Sequence, residues 1–513
     1  MYNNESMKQS LALEIMLAGE SVLLTGAAGS GKTYVLNRFI REAKREGKKV
    51  AVTATTGLAA THLNGSTIHS WAGIGIHRTL PPRFAEGLSQ SRRDTIASTD
   101  VLIIDEISML HDYRLDMVDA VARSVRHSAE PFGGIQVMLC GDFFQLPPVN
   151  RGDEQGGFVT GSFVWDELKP VVCYLDEQHR QDDNEFLDIL NAMRAGDIRR
   201  RHAEKLVERQ NAELGYGQDV TELHTTNVDV DALNHTQLAA LSTPSKIFEM
   251  TTTGKANYLE TLRKSCLAVE KLELKKGALV MCIRNSQDKK YVNGSLGVIT
   301  DFEEATGFPV VELRTGKIVV VGPETWELRD GDTKRASLVQ IPLRLAWAIT
   351  VHKSQGMTLD AARINLSRAF VEGMGYVALS RVRSLTTLSL SGLNQMALKV
   401  SPAALEIEAD LRARSAQADE RFAGLAKKAK ERIEKTDLKE MVKASNWQDR
   451  INEMRKEYPK AYTPWIEDED AKLRELFESG KGLKSLSSEM QRQPGGIKAR
   501  LKKHFGEDVA IPA

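Results

Sequence analysis

The sequence predicts an α/β protein built on parallel sheets, and three observations carry that prediction. Short apolar runs alternate with amphipathic stretches of helical length. The runs SVLLTG (21–26), KVAVTAT (49–55), DVLIIDE (100–106) and IQVMLCGD (135–142) are near-continuous in Val, Ile and Leu, as strands covered on both faces are. The first run also ends directly in a glycine-rich loop, followed by Val35, Leu36, Phe39, Ile40 and Ala43 at helical spacing.

At 513 residues the chain is too long for one hydrophobic core, so several domains are expected. The hydrophobic fraction of 42% and the charged fraction of 27% are those of soluble globular proteins. Lys+Arg and Asp+Glu both number 69, so any nucleic-acid surface has to come from local charge placement and not from the whole-molecule field. Cys140, Cys173, Cys266 and Cys282 form no CxxC pair, which argues against a zinc ribbon or an iron–sulfur cluster and suits a reducing compartment. The N-terminus has no basic stretch followed by an apolar core, and no apolar run is long enough to span a bilayer. A cytoplasmic protein is expected, nucleoid-associated if bacterial.

A second α/β region begins near Glu185, with strand-like TELHTT (221–226), LAWAITVHKSQG (345–356) and a strand near 387–391. Between its halves, 272–335 is β-rich, with hairpin signals at Asn293-Gly294 and Thr315-Gly316, and reads as a small inserted barrel. Ser401-Pro402 opens a charged, helix-favouring segment, with Pro402 suited to a first helical position. The expected organisation is therefore a first domain over 1–184 and a second over 185–271 and 336–400. The barrel at 272–335 interrupts the second domain; a helical linker at 401–461 and a small helical unit at 462–513 follow.

The loop Gly26-Ala27-Ala28-Gly29-Ser30-Gly31-Lys32-Thr33 matches G-x-x-x-x-G-K-[ST] between a strand and a helix. Its glycines let backbone N–H groups surround phosphates, and the helix N-terminus adds a favourable dipole. Lys32 is expected to reach the β/γ-phosphates of ATP, and Thr33 to give its hydroxyl oxygen to Mg²⁺. Asp105 and Glu106 end a buried strand, where charge is costly unless it has a use. Asp105 is expected to hold Mg²⁺ through water, and Glu106 to take a proton from the attacking water, which makes the reaction hydrolysis. The competing reading is that these acids merely cap the next helix.

Seven ordered segments carry a resemblance: TGAAGSGKT (25–33), TATTGLAATHLNGSTIHSWAGI (53–74), IIDEISML (103–110), PFGGIQVMLCGDFFQLPPV (131–149), LDEQHRQ (175–181), LAWAITVHKSQGMTLD (345–360) and GYVALSRVRS (375–384). On them the chain resembles the PIF (petite integration frequency) family of superfamily 1B DNA helicases, which is similar to the RecD and Dda helicases. The resemblance implies two RecA-like domains with ATP between them, translocation on single-stranded DNA, 5′→3′ polarity, and unwinding of forked or tailed duplex. It implies an adenine contact at Gln9 and γ-phosphate contacts from Arg180 and Arg381. Asp142 and Gln145 are expected to face the γ-phosphate, where Gln145 would sense its loss or orient water. It also makes the barrel SH3-like and places a small duplex-splitting insertion at about 74–95, although Pro81-Pro82 there also fits an ordinary connector.

Ligands of parallel sheets gather at the C-terminal strand ends, so the loops beyond the ATP motifs are candidates for a DNA track. Thr55, His69 and Trp71 lie in a segment resembling the family's DNA-contacting loop. His352, Lys353, Ser354, Gln355 and Gly356 pack polar groups and a glycine into a strand exit, which suits close contact with phosphates. Phe143 and Pro147 are expected to carry the chain from the nucleotide toward that track, with aromatics available for base stacking. Core packing is the other reading for Phe143, Phe144 and Trp71.

In the last unit, Thr463 and Pro464 suit a helix start, and three apolar faces follow: Leu473, Leu476 and Phe477; Leu483 and Leu486; Ile497 and Leu501. The final helix carries Lys498, Arg500, Lys502 and Lys503, so the unit looks like a Myb-like or helix-turn-helix module that binds DNA. A protein-docking bundle is the alternative, and with it a P-loop ATPase that remodels protein partners.

Overall fold

The computed structural model describes residues 9–432 and 458–509, apart from 64, 76, 151–154, 178–182, 215–219, 267, 285, 287–289, 292–293, 315, 331–332, 360, 430–431, 461–464, 466 and 506–508. The chain divides into two compact units, 1–426 and 427–513.

The first sheet has six strands: β1 (Val22–Gly26), β2 (Val50–Ala54), β3 (Ser66–Thr67), β4 (Val101–Asp105), β5 (Gln136–Cys140) and β6 (Val171–Leu175). Their order is β3-β2-β4-β5-β1-β6, and every pairing is parallel. The near-continuous apolar runs now have their reason. Val22, Leu24, Val101, Ile103, Met138 and Cys140 bury one face against Val35, Leu36, Phe39 and Ala43 of the helix Lys32–Arg45. Leu23, Leu102, Ile104, Val137 and Leu139 bury the other against Leu115, Val118 and Val121 of the helix Asp112–Arg126. Alternate side chains thus serve opposite layers, and neither set can be polar.

The second sheet is also parallel, in the order Ala348–Thr350, Thr221–His224, Ala362–Leu366, Leu388–Leu393. The strands expected at 221–226 and 387–391 lie in it, but 345–356 contributes only Ala348–Thr350: Leu345 belongs to another sheet and Val351–Ser354 is a helical turn. The first domain's expected strands likewise match β1, β2, β4 and β5.

The β-rich insertion is wider than the expected 272–335. Strands from Ser245–Glu249 and Thr251–Gly254 join it from one side, and Leu343–Leu345 closes it on the other. Its main sheet is five-stranded and antiparallel. Gly316 turns the expected hairpin with a φ of 76°, and Gly294 has a φ of 88°, both left-handed positions that glycine takes without a Cβ clash. Asn293 and Thr315 lie outside the described residues.

The segment from Ser401 is not simply a linker. Helix Pro402–Arg421 lies along β6: Ser415 Oγ accepts the Tyr174 N–H at 3.1 Å, Arg414 donates to the Pro170 carbonyl at 2.8 Å, and Arg412 pairs with Asp176 at 3.0 Å. A charged sequence looks solvated, but here its charges pair with the edge of the first sheet.

In the C-terminal unit three helices, Glu467–Glu478, Leu483–Met490 and Pro494–Phe505, share one cluster built on Leu473, Leu486, Met490, Ile497 and Leu501. Thr463 and Pro464 lie outside the described residues. Arg500, expected to face DNA, pairs with Asp470, while Arg492 pairs with Glu469 at 2.6 Å and lies over the Trp465 ring.

Candidate active site

β1 delivers the glycine loop. Gly26, Gly29 and Gly31 all have positive φ, and a Cβ on Gly26 would collide with the Leu175 carbonyl of β6. The loop can therefore follow β1 this closely only with glycine there. Lys32 donates from Nζ to the carbonyls of Gly26 at 2.8 Å and Ala27 at 3.0 Å. Burial pulls its pKa below the ordinary lysine value, while Asp142, Cys140 and Glu106 oppose that pull. Gln9 donates to the Ser30 carbonyl at 3.0 Å, which places it against this loop, and Ser30 Oγ is buried without a partner among the described residues.

β4 supplies the carboxylates. Asp105 is the last strand residue, and burial pushes its pKa up. Glu106 turns out of the strand at φ 54°, ψ 44°, a left-handed backbone that a non-glycine residue holds only when its surroundings enforce it. Burial and then the Asp105 charge raise Glu106 to about 7, against a hydrogen bond from Gln355 Nε2 at 2.8 Å.

One cavity of about 280 Å³ gathers these groups with residues from the second sheet. Ala28, Gly29, Gly31, Lys32, Thr33, Asp105, Glu106 and Gln145 line it from the first domain; Gly356, Thr358, Arg381 and Arg383 line it from the second. Arg381 is 1% exposed, held by Nε to the Val377 carbonyl at 2.7 Å and by a second nitrogen to Ser380 Oγ at 2.7 Å. Thr33 and Asp105 present hard oxygen donors to the same space, a donor set that fits Mg²⁺. Arg180 lies outside the described residues.

Several expectations change. Asp142 does not face the cavity freely: it is 1% exposed, and Arg194 donates to both of its oxygens at 2.7 and 2.8 Å. Arg194 also reaches Tyr174 Oη at 2.7 Å and Tyr376 Oη at 3.1 Å, while Tyr376 Oη accepts the Ala28 N–H at 3.1 Å. This node joins the glycine loop, the Asp142 turn and the second domain. Nothing in the local pattern around Arg194 signals it, because its partners lie 52 and 182 positions away.

Phe143 is 3% exposed and edge-on to Phe158, a core position and not a stacking surface. Trp71 is likewise in the core, although its Nε1 finds no partner among the described residues. Thr55 donates its hydroxyl to the Glu106 carbonyl at 3.0 Å, so its side chain braces the end of β4. Ser354 is fully buried on the Val351 carbonyl, and Gln355 turns to Glu106 rather than outward. Pro147 is half-buried. His69 is held near pKa 4 by burial, Arg114 and His111, so it is neutral at pH 7. His352, Lys353 and Gly356 keep accessible positions at the second sheet's exit, with Lys353 Nζ donating to Asn227 at 3.0 Å. Beside them the sequence reading missed Phe370, 61% exposed and stacked on His352. No local pattern signals it, because both its exposure and its place beside His352 are set by the fold.

Residues 5–204 match the family model for PIF1-like helicases, and residues 257–302 match that for the 2B domain of DNA helicase Pif1. The ATP-dependent DNA helicase Pif1 of Psychrobacter sp. is 40% identical over 481 residues, covering 81% of this chain and 72% of its own length. The human ATP-dependent DNA helicase PIF1 is 38% identical over 412 residues, and the chain spans 79% of itself and 64% of that relative. Among solved structures, Pif1 helicase from Candida albicans superposes with a TM-score of 0.70 at 33% identity, over 80% of this chain and 99% of that one. Bacteroides sp. Pif1 in complex with ADP-AlF4 gives 0.67 at 31%, over 80% and 98%. With two parallel α/β domains closing on one glycine-loop cavity, and with relatives at this identity and coverage, the chain belongs to the Pif1 family of ATP-dependent DNA helicases.

Proposed function

We propose that the chain hydrolyses ATP in the cavity between its two parallel sheets and uses the cycle to translocate 5′→3′ on single-stranded DNA, opening forked or tailed duplex. The observation that carries this is the shared lining: the glycine loop, Asp105 and Glu106 from one domain meet Arg381 and Gly356 from the other. Glu106 takes the proton of the water that attacks the γ-phosphorus, and ADP leaves with the β–γ oxygen's electrons. Lys32 and Arg381 stabilise the charge that develops on the γ-phosphoryl oxygens, a role in which an arginine contributes roughly 10³–10⁵ in rate. Arg180 is proposed as a second such arginine. Thr33 and Asp105 would hold Mg²⁺, which would supply charge neutralisation to the transferring phosphoryl group. Gln145, whose Oε1 is buried without a partner among the described residues, is suited to orient the attacking water.

The DNA track runs over His352, Lys353 and Gly356, with Phe370 as a base-stacking surface and the 74–95 segment near the duplex junction. Stacking on an aromatic contributes roughly 1–3 kcal/mol per base without regard to base identity. Bacteroides Pif1 has been solved bound to single-stranded DNA, which supports the same ligand here. The five-stranded insertion is read as the family's SH3-like element, and the C-terminal three-helix unit as a helix-turn-helix module.

The test is ATP hydrolysis with and without single-stranded DNA, then unwinding of 5′-tailed and 3′-tailed duplexes. Stimulation and a 5′-tail requirement are expected. Hydrolysis indifferent to DNA ends the reading and favours a protein-remodelling ATPase.

A further inference from the structure

The segment that leaves the second sheet makes two kinds of contact within six residues. Its outward side carries His352, stacked on exposed Phe370, and Lys353, tied to Asn227. Its inward side carries Gln355, 7% exposed, whose amide nitrogen donates to Glu106 Oε2 across 249 positions of sequence. The same turn is gripped from behind by Arg381, which donates to the carbonyls of Ser354 at 3.4 Å and Met357 at 3.2 Å. Gly356, at φ 78°, makes the reversal possible between these anchors.

Packing does not account for Gln355. Its Oε1 is buried with no partner among the described residues, a cost that an apolar side chain of the same shape would avoid. What the amide does accomplish is to fix one oxygen of the Glu106 carboxylate, and so which lone pairs that carboxylate can present to water. Glu106 lines an open cavity, and the Gln355 amide, at 2.8 Å from Oε2, restrains the direction of its carboxylate there.

We propose that Gln355 is a positioning residue that transmits the placement of the DNA-track turn to the Glu106 carboxylate, making hydrolysis depend on the strand. This rests on the helicase reading above and adds to it the physical link between the two ligands. A displacement of the turn by a strand lying over His352 and Phe370 moves the Gln355 amide directly, because Gln355 is only three residues along from His352. No intervening side chain is needed, and Arg381 shifts with the same turn.

The test is Gln355→Met, which keeps the length and volume of the side chain and removes the amide. ATP turnover of the full chain is measured without DNA and at saturating oligo-dT, with a thermal melt to verify folding. The expected result is that the DNA-stimulated to DNA-free kcat ratio falls at least three-fold, while the KM for ATP and the affinity for oligo-dT change less than about two-fold. If Gln355→Met does not fold, Gln355→Asn, one methylene too short to reach Glu106, takes the same measurement. A ratio unchanged within two-fold overturns the proposal, as does an equal fall of both rates, which marks a merely structural role. A wild-type enzyme that DNA does not stimulate removes the helicase reading together with this one. A stimulated wild type with an unchanged variant ratio removes this one alone.

Discussion

Replacing Arg194 with leucine removes the cation from a site where Asp142 is almost wholly enclosed. Burial by itself raises an aspartate pKa, yet Arg194, then Lys32, hold Asp142 below the ordinary value, while Arg194 is itself pushed up by Asp142 and the tyrosines. Removing one member of such a pair leaves an uncompensated buried charge and costs about 3–5 kcal/mol. The double variant Arg194→Leu/Asp142→Asn removes both charges and is expected to recover at least about 2 kcal/mol of that, the coupling of a contacting pair. Urea midpoints of the two single variants, the double variant and the wild type measure the cycle. The pH dependence gives a second check. In the wild type the depressed Asp142 pKa contributes stability above the unfolded value of about 3.9, lost as pH falls through the folded value. In Arg194→Leu the folded pKa lies above the unfolded one, so the penalty is full at pH 7 and shrinks as pH falls toward 4. Additive variants within about 0.5 kcal/mol, or a penalty independent of pH, would refute the argument.

Gln145→Ala is expected to keep DNA binding and lose unwinding, checked by oligonucleotide anisotropy beside a forked-duplex assay; surviving unwinding would break the proposed coupling. Glu106→Gln should lower hydrolysis by about 10²–10⁴, the usual worth of a general base, with nucleotide still bound. Gly375→Ala should fold poorly, because a Cβ there meets the Ala397 carbonyl far inside contact distance; a melt within 1 °C of wild type would contradict that crowding. In the C-terminal unit, hydrogen bonds from Arg500 and His504 hold Asp470 below the usual carboxylate range. Glu469 is pushed up by burial but pulled lower by Lys460 and Arg492. Both pKa values are depressed, so the stability they contribute is present above pH of about 4 and is lost below it. Hydrogen-exchange protection factors over 483–505, corrected for the intrinsic slowing of exchange in acid, should fall on acidification through that window.

Much of this protein could be read without its fold. The glycine loop, the Asp105-Glu106 strand end and the alternating parallel-sheet grammar are local patterns, each set by backbone geometry or by burial on two faces of one strand. Their order along the chain was enough to indicate a two-domain motor of the Pif1 family. The apolar faces of the C-terminal helices were equally legible, since helical spacing alone selects Leu473, Leu486, Ile497 and Leu501.

What the sequence could not supply were pairings between distant positions. GDFFQLPPV looked like a segment reaching from nucleotide to DNA, but the fold turns Phe143 inward and commits Asp142 to Arg194. The charged segment expected as a linker instead lays its helix Pro402–Arg421 along β6, with Ser415 on the Tyr174 N–H and Arg412 on Asp176. Gln355, placed on the DNA track by its neighbours, turns instead to Glu106. The physical reason is the same in each case. Strand, loop and helix follow from interactions a few residues apart, whereas the partner of a buried charge or amide is chosen by whichever element the tertiary fold brings within about 3 Å.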